Sequence, residues 1–250
     1  NPLASPNIIG VNAGSGLFVL LFACVAPHAL GISAAAAFLG ALASALLVFF
    51  VSAYAGASRL TIVLAGMALT AIFTAGMNTV LIFNPDAYVN SSGFLVGSLS
   101  GVMVSELAIP GIMICAGLIL AMGQGTRLNI LSLGDEGAHA LGLNVNCTRL
   151  ALLSLAALLA GAAVCFSGLI GFVGLIVPHV VRYVAGHDNR RVLVLSPIVG
   201  AILVCACDTI ARTLFAPFEI PVGICMALVG GPFFIYLILR SRKGEVDGRA

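Results

Sequence analysis

Side chains that could do chemistry are sparse in this 250-residue sequence, which has nine acidic residues, eleven Lys or Arg, four His and seven Cys. Asp208 and Arg212 lie four apart in an apolar stretch, where helical geometry lets the two charges neutralise each other. His179 follows Pro178, and a lone histidine there more often packs or hydrogen-bonds than binds a ligand. The cysteines are odd in number and show no CxxC spacing, so they predict neither a disulfide framework nor a zinc site. The sequence predicts no catalytic residues and no metal site.

The composition is that of a membrane protein. Hydrophobic residues make up 61% of the chain and charged residues 8%, and the mean hydropathy is +1.17. A soluble domain typically carries about 25% charged residues. This composition excludes an ordinary soluble enzyme and a disordered chain, and a net charge of only +2 leaves no basic face for nucleic acid.

The elements that must position these residues are apolar helices. A membrane helix needs about 20 apolar residues at about 1.5 Å each, and about eight stretches of the sequence meet that length. The tract 148–185 is too long for one span, and we divide it near Ser167 and Gly168. The fold class predicted is therefore an all-α polytopic transmembrane helical bundle. Its predicted spans are 12–30, 33–54, 60–83, 105–123, 148–167, 169–185, 192–215 and 221–240.

The positive charges predict the orientation of these spans. If the spans alternate and the C-terminal tail is cytoplasmic, the outer connections contain no Lys or Arg, and Arg212 alone lies toward the outer end of a span. With an even number of spans, Asn1 is cytoplasmic as well. The cations predicted on the cytoplasmic side are Arg59, Arg127, Arg149, Arg182, Arg190, Arg191, Arg240, Arg242, Lys243 and Arg249.

The longest cytoplasmic connection, 124–147, predicts a short helix of about two turns over 132–142. Ser132 with Asp135 three residues later is typical of a helix start, and Gly142 of a helix end. Such a short helix is marginal alone, so it must dock against something. Its partner is either the groove of a cytoplasmic protein or the surface of its own chain and lipid headgroups. In the outer connection 84–104, the apolar piece 93–101 predicts an interfacial or re-entrant helix.

Several motifs together resemble the FecCD-type permeases, the membrane subunits of ABC importers for iron-siderophores, haem and cobalamin. The run from Gly168 to His179, GLIGFVGLIVPH, followed by Arg182, is similar to the family signature. That run lacks the Lys-Ser/Thr ending of a phosphate loop, so its glycines indicate helix packing. Three further stretches agree in order: NPLA with GVNAG near the start, LGDEGAHALG at 133–142, and Asp208-x-x-x-Arg212 followed by EIPVG and GPFF.

The resemblance implies a type II ABC importer permease of about ten spans. The chain is then one transmembrane permease domain over 1–250 that lacks the first two spans, and 124–147 is its cytoplasmic coupling loop. Implied partners are a second permease subunit in a homodimer or close heterodimer, two cytoplasmic ATPases and an external substrate-binding protein. The chain itself binds no cofactor, because ATP and Mg belong to the ATPase. The implied location is the inner membrane.

Roles carry over from the family only at matching positions. Asn1, Leu3 and Arg59 are expected at the cytoplasmic gate, and Arg212 is expected to meet an acidic residue of the binding protein. The structural signature is Gly171, Gly174, Pro178, His179 and Asp208. The ATPase-coupling residues are Leu133, Gly134, Asp135, Glu136, Ala138, His139, Leu141 and Gly142.

The predicted function is therefore a permease, not an enzyme, that imports a metal chelate. Among cargoes an iron-siderophore comes first, then haem, then cobalamin. The alternatives from other classes are an ion-coupled secondary transporter and a membrane-embedded enzyme. Secondary transporters usually place ionisable groups or broken helices at the membrane midplane, whereas the Asp208–Arg212 pair is off-centre. Transport that persists without a partner ATPase would favour the secondary transporter.

Overall fold

The computed structural model describes residues 10–25, 30–55, 59–214 and 217–247, and every regular element within these ranges is helical. This confirms the all-α fold class. A short 3₁₀ turn, Val104–Leu107, precedes the fifth α-helix. The α-helices are α1 Val11–Val25, α2 Leu30–Tyr54, α3 Arg59–Phe83, α4 Pro85–Val96, α5 Ala108–Met122, α6 Gly125–Ser132, α7 Asp135–Ala140, α8 Val145–Ser167, α9 Val173–Ala185, α10 Asn189–Thr213 and α11 Val222–Asp247.

Each of the eight predicted spans corresponds to an apolar helix, but the helices differ in length. Within the described ranges, four are long and apolar enough to cross a membrane: Ala35–Tyr54 in α2, Leu60–Phe83 in α3, α8 and α10. A fifth crossing is possible if α5 and α6, bent by 53° at their junction, count as one span. Of the remaining three, α9 with 13 residues is shorter than its predicted span. α1 is described as far as Val25, and α11 runs over 26 residues from Val222.

The division of the tract 148–185 is confirmed, and it explains why α9 is short. α8 ends at Ser167, and Gly168 adopts a positive φ of 68° that favours glycine. α9 begins only at Val173, after a non-helical segment 168–172. In that segment Phe172 also has a positive φ, 66°, and its ring packs where a Cβ on Gly230 of α11 would lie.

Small residues allow close packing of α1, α2 and α8. A Cβ added to Gly40 would lie within 3 Å of the Gly14 backbone, so the two helices cross at these glycines. Val11, Ala41, Ala45 and Ala157 form a buried cluster where α8 joins them. Because lipid provides no hydrophobic drive between helices, such close contact supplies the dispersion energy that holds the bundle together.

Polar contacts define two ends of the bundle. Residues of α6 and α7 bond to the starts of α8 and α10 at one end, which we name the α7 end. Backbone bonds join α4 to residue 169, and residue 97 to the start of α11, at the opposite end. Arg212 lies 22 residues along α10 from Arg190, roughly 33 Å away. The chain therefore alternates between the two ends as the spans predict.

The helix in the outer connection lies earlier than predicted. The expectation of a helix over 93–101 is wrong, because α4 runs from Pro85 to Val96 and residues 97–103 are not helical. Pro85 suits the first position of a helix, where its missing N–H costs nothing. Gly97, at φ 82°, then ends the helix.

Candidate functional site

The connection 124–147 forms two helices, α6 and α7, so the predicted single helix over 132–142 is wrong at its start. Ser132 is the last residue of α6, and its hydroxyl donates to the Asn129 carbonyl at 2.6 Å. It does not cap α7. Gly134 does, at φ 94°, a value that an L side chain rarely adopts. Gly134 thereby turns the chain between the two helices and lets α7 begin at Asp135.

Asp135, in the first turn of α7, pairs with Arg149 of α8. An Arg149 terminal nitrogen donates to Asp135 Oδ1 at 2.6 Å. The Arg149 side chain is only 16% exposed and that of Asp135 is 51% exposed. The carboxylate also suits the positive N-terminal end of α7. This pair ties a six-residue helix, too short to be stable alone, to a membrane-length helix.

The end of α7 is a Schellman motif, which confirms the expected role of Gly142 in ending the helix. The Leu143 amide donates to Ala138 O at 3.0 Å, and the Gly142 amide donates to His139 O at 2.9 Å. Gly142 has a φ of 76°. Ala138 is fully buried and anchors α7 to the bundle. The C-terminal end of α7 is thus closed by its own backbone bonds, and its N-terminal end is attached to α8 by the Asp135–Arg149 pair.

Two leucines flank α7 and face away from the bundle. Leu133 is 65% exposed and Leu141 is 61% exposed. Glu136 and His139 are exposed between them. Exposed apolar side chains next to polar ones are typical of an interaction surface. We name the surface of Leu133, Glu136, His139 and Leu141 the α7 surface.

A polar network fixes α6 to the start of α10. The Asn129 side-chain amide donates to Asp188 Oδ1 at 2.8 Å, and Asn129 Oδ1 accepts from the Asn189 amide at 2.9 Å. Arg182, at the end of α9, donates to Asn189 Oδ1 at 2.9 Å. Arg190 adds a bond to Thr126 Oγ1 at 2.9 Å. Three helices therefore meet at Asn129 and Asn189.

The network lowers the pKa of Asp188 below its ordinary 3.8, first because Asn129 donates to the carboxylate and then because the Arg190 amide does. A carboxyl group with a lowered pKa stabilises the fold above its ordinary pKa and loses that contribution as the pH falls through the lowered value. We therefore expect the attachment of α6 to be constant from neutral pH down to about pH 4 and to weaken only below it.

Replacing Asn129 with leucine should loosen α6 and α7. The change removes both bonds to α10 and leaves the buried Asn189 amide without its acceptor. We expect backbone hydrogen exchange over 125–140 to become about tenfold faster, measured by mass spectrometry at neutral pH. Gln124→Leu is the control, because Gln124 only accepts an exposed bond from Arg127. Equal exchange in the two variants would contradict the role of the network.

At the opposite end, Asp208 and Arg212 form the ion pair that their spacing predicts. Arg212 Nε donates to Asp208 Oδ2 at 2.8 Å, and the Arg212 side chain remains 42% exposed. Glu219 accepts a bond of 2.5 Å from the Ser100 hydroxyl, which joins the 97–103 segment to the residues before α11. The exposed part of the Arg212 guanidinium is therefore accessible to a binding partner.

Three of the signature residues, Gly174, Pro178 and His179, lie on α9, and the structure does not gather all five around one reactive centre. Pro178 is inside the helix, and the His179 ring packs edge-on against Phe233 of α11 with centroids 6.1 Å apart. Gly174, Pro178 and His179 line a cavity of about 690 Å³ that extends to Arg182. Gly171 has open space around its Cα, and Asp208 lies on α10 instead.

The expected gate residues are only partly visible. Asn1 and Leu3 lie outside the described residues. Arg59 is the first residue of α3, directly after residues 56–58, which are also outside the described ranges. Among the residues that the structure describes, no group of three or more His, Cys, Asp or Glu is placed to hold a metal ion.

Two contacts of this site could not be read from the sequence. The sequence marks Asp135 and Gly142 by their helix-end chemistry, but nothing in it pairs Asp135 with Arg149, 14 residues away. Nor does it indicate that Asn129 bonds to Asp188, 59 residues away. The sequence indicates only that these polar side chains need hydrogen-bonding partners, because polar residues are rare in this chain. It does not indicate which residues those partners are.

Comparison with known proteins identifies similar chains over nearly the whole length. The model of the FecCD transport family matches residues 1–240. The chain is 40% identical to the hemin transport system permease protein HmuU of Yersinia pestis, over 97% of this chain and 75% of that one. It is 37% identical to the Fe(3+)-citrate import system permease protein YfmD of Bacillus subtilis, over 98% of this chain and 72% of that one.

The fold also matches a solved structure. A metal-chelate type ABC transporter in an inward-facing conformation superposes with a TM-score of 0.88 and 30% sequence identity. The match covers 96% of this chain and 77% of the solved one. The arrangement of helices described above is therefore shared with a transporter of that type.

Proposed function

Because this chain belongs to the FecCD transport family, as a permease of an ABC importer for metal chelates, we propose that its cargo is an iron-siderophore complex. It carries this complex across the inner membrane into the cytoplasm. The relatives named above transport hemin and Fe(3+)-citrate, both iron chelates, which supports an iron-containing cargo. Haem and cobalamin are the alternatives within the family. Charged residues are scarce in the spans, which is consistent with a wide translocation path that has no high-affinity binding site for the chelate.

In this proposal the α7 surface docks into a groove of a cytoplasmic ATPase. α7 is attached to α8 by the Asp135–Arg149 pair, and it is flanked by two leucines with more than half of their surface exposed. That exposure is the single observation that carries the assignment, because an apolar face at a polar membrane boundary needs a protein partner. The chain binds no nucleotide itself, and ATP and Mg act on the partner. The α7 end and the C-terminus are then cytoplasmic.

The complete importer contains a second permease subunit, two ATPases and an external binding protein. The chelate passes between the two permeases, and Asn1, Leu3 and Arg59 close the path on the cytoplasmic side. ATP binding draws the ATPases together, and the docked α7 helices carry that displacement into the bundle. Such two-state rocking requires only that the ATPase contacts the two conformations differently.

Reconstitution tests this function and its cargo. The permease is inserted in liposomes with its ATPase and binding protein, and uptake of a radiolabelled iron-siderophore, hemin or cobalamin is measured with and without ATP. We expect ATP-dependent uptake of the iron-siderophore in preference to the other two. Uptake of hemin or cobalamin alone would overturn the cargo, and uptake without the ATPase would overturn the mechanism.

Arg212 provides a prediction at the opposite end. Replacing it with glutamate should weaken docking of the binding protein about tenfold, because an acidic partner group would then face a like charge. Biolayer interferometry on permease in nanodiscs measures this, and the difference should shrink at high salt. Asp208→Asn is the matched variant, since it removes the internal pair while keeping Arg212, and it should bind at least as tightly as the wild type. Wild-type affinity in Arg212→Glu would contradict the assignment.

A further inference from the structure

Two of the seven cysteines meet where α10 packs against α11. The thiol of Cys207 in α10 lies within hydrogen-bonding distance of the thiol of Cys225 in α11, and both are free cysteines. Cys207 is only 3% exposed, whereas Cys225 is partly buried. The pair belongs to an apolar cluster that also contains Ile176, Val222 and Met226. Because the two cysteines are far apart in the sequence, the pair forms only when the two helices pack together.

The backbone around Cys225 is fixed by its neighbours. Cys225 lies in the first turn of α11, where the Gly223 amide donates to Gly97 O at 2.9 Å. Val222 and Met226, on either side of it in the helix, are buried. The packing of the two helices therefore holds the two sulfur atoms beside each other before any reaction.

The two thiols differ in their access to a reagent. Thiol–disulfide exchange begins when a thiolate attacks one sulfur of a disulfide. Only this first step needs contact with the reagent, and Cys225 can make that contact because part of its surface is exposed. The second step joins two neighbouring groups of the same protein, so proximity favours it and the burial of Cys207 does not prevent it.

The pair lies toward the end of the bundle opposite the α7 end. Cys207 is five residues before Arg212 on α10, and Cys225 is three residues after the start of α11. In the proposed function this end faces away from the cytoplasm, toward a compartment in which disulfide bonds persist. This placement rests on the proposed function, whereas the contact between the two thiols does not.

We propose that Cys207 and Cys225 are a redox-reactive pair, which a low-molecular-weight disulfide such as oxidised glutathione converts into a disulfide bond between α10 and α11. The Cys225 thiolate attacks one sulfur of the reagent, and the first half of the reagent leaves as a thiolate. The Cys207 thiolate then attacks the Cys225 sulfur and displaces the second half. The two cysteines are oxidised, and the reagent is reduced to two thiols that take up the two cysteine protons. The new bond ties the start of α11 to α10.

Oxidation of the purified permease in nanodiscs tests this proposal. The protein is treated with oxidised glutathione, the remaining free thiols are alkylated, and the tryptic peptides are identified by mass spectrometry. Trypsin cuts at Arg212, between the two cysteines, so that peptide 192–212 carries Cys207 and peptide 213–240 carries Cys225. We expect a disulfide to join these two peptides and dithiothreitol to separate them. The measurement involves neither an ATPase nor transport, so its result is independent of the proposed function.

Cys205→Ala is the matched control. Cys205 lies on the same tryptic peptide and is exposed, but two residues along a helix it faces a different direction from Cys207. We expect Cys205→Ala to give the joined peptides at the wild-type yield and Cys207→Ala to lower that yield more than about tenfold, with alanine replacing a small apolar side chain. The proposal is overturned if the wild type gives glutathione bound to Cys225 without joined peptides, or if the joined peptides depend on Cys205 and not on Cys207.

Hydrogen exchange measures the consequence for α11. We expect the backbone amides over 222–230 to exchange about tenfold more slowly in the oxidised permease than in the reduced one, because the cross-link opposes opening of the first turns of the helix. Cys205→Ala should show the same slowing, and Cys207→Ala should show none. Equal exchange rates in the oxidised and the reduced wild type would contradict the restraint on α11.

Discussion

Replacing Leu141 with aspartate should weaken association with the partner ATPase about hundredfold, the effect of a central interface residue. Leu141 is 61% exposed at the end of α7, so the substitution costs the fold of the permease little. In the complex, however, the aspartate would enter an apolar groove without a partner for its charge, and burying an unpaired charge is costly. The measurement is retention of the ATPase on tagged permease in detergent, together with ATP-driven uptake in liposomes.

Two further variants make this result specific. Leu141→Met keeps the apolar volume and should retain the ATPase normally. His187→Asp adds an acid in the exposed connection before α10, outside the α7 surface, and tests whether negative charge at this end of the bundle is sufficient for the effect. ATPase retention by Leu141→Asp equal to the wild type would refute the assignment of the α7 surface.

Gly223→Ala should destabilise the fold strongly, and this is the second large effect that we expect. Gly223, in the first turn of α11, donates its amide to Gly97 O at 2.9 Å, which draws the helix against the chain after α4. A Cβ at this position would overlap the Val96 carbonyl oxygen, which belongs to the backbone and cannot rotate away. We expect a loss of about 3 kcal/mol or more of stability, seen as a lower yield and a lower melting temperature in detergent.

Gly231→Ala is the control for that substitution. Gly231 lies eight residues further along α11, and a Cβ there would meet nothing within 4 Å. The change should leave the melting temperature unchanged or raise it slightly, because alanine favours a helix more than glycine does. Similar melting temperatures for the two variants would show that the contact of α11 with the chain after α4 does not govern folding.

The arrangement of spans was largely predictable because hydropathy and charge act over whole helices. All eight apolar segments became helices, and the division at Gly168 follows from the length that one span requires. The ion pair of Asp208 and Arg212 was predictable because one helical turn brings the two residues together. These features depend on neighbours in the sequence.

Features that depend on distant parts of the chain were not predictable. Ser132 looked like a helix cap, but the positive φ of Gly134 moved the start of α7 past it. α9 is shorter than its apolar stretch, since hydropathy cannot show where packing interrupts a helix. The pairings of Arg149 with Asp135 and of Asn129 with Asp188 arise only when α6, α7, α8 and α10 have assembled.

α10 runs without a break from Asn189, in the network that holds α6, to Arg212 near the opposite end. This single helix therefore extends between the two ends of the bundle at which soluble proteins are proposed to bind. Thermodynamic linkage then requires that the two effects are equal: the factor by which the bound outer protein changes the affinity for the inner protein is the factor by which the bound inner protein changes the affinity for the outer one. The dissociation constant of either protein can be measured with the other protein present and absent, and the ratio of the two values should be the same for both proteins. A ratio other than one gives the coupling free energy that α10 and its neighbours transmit between the two ends of the bundle.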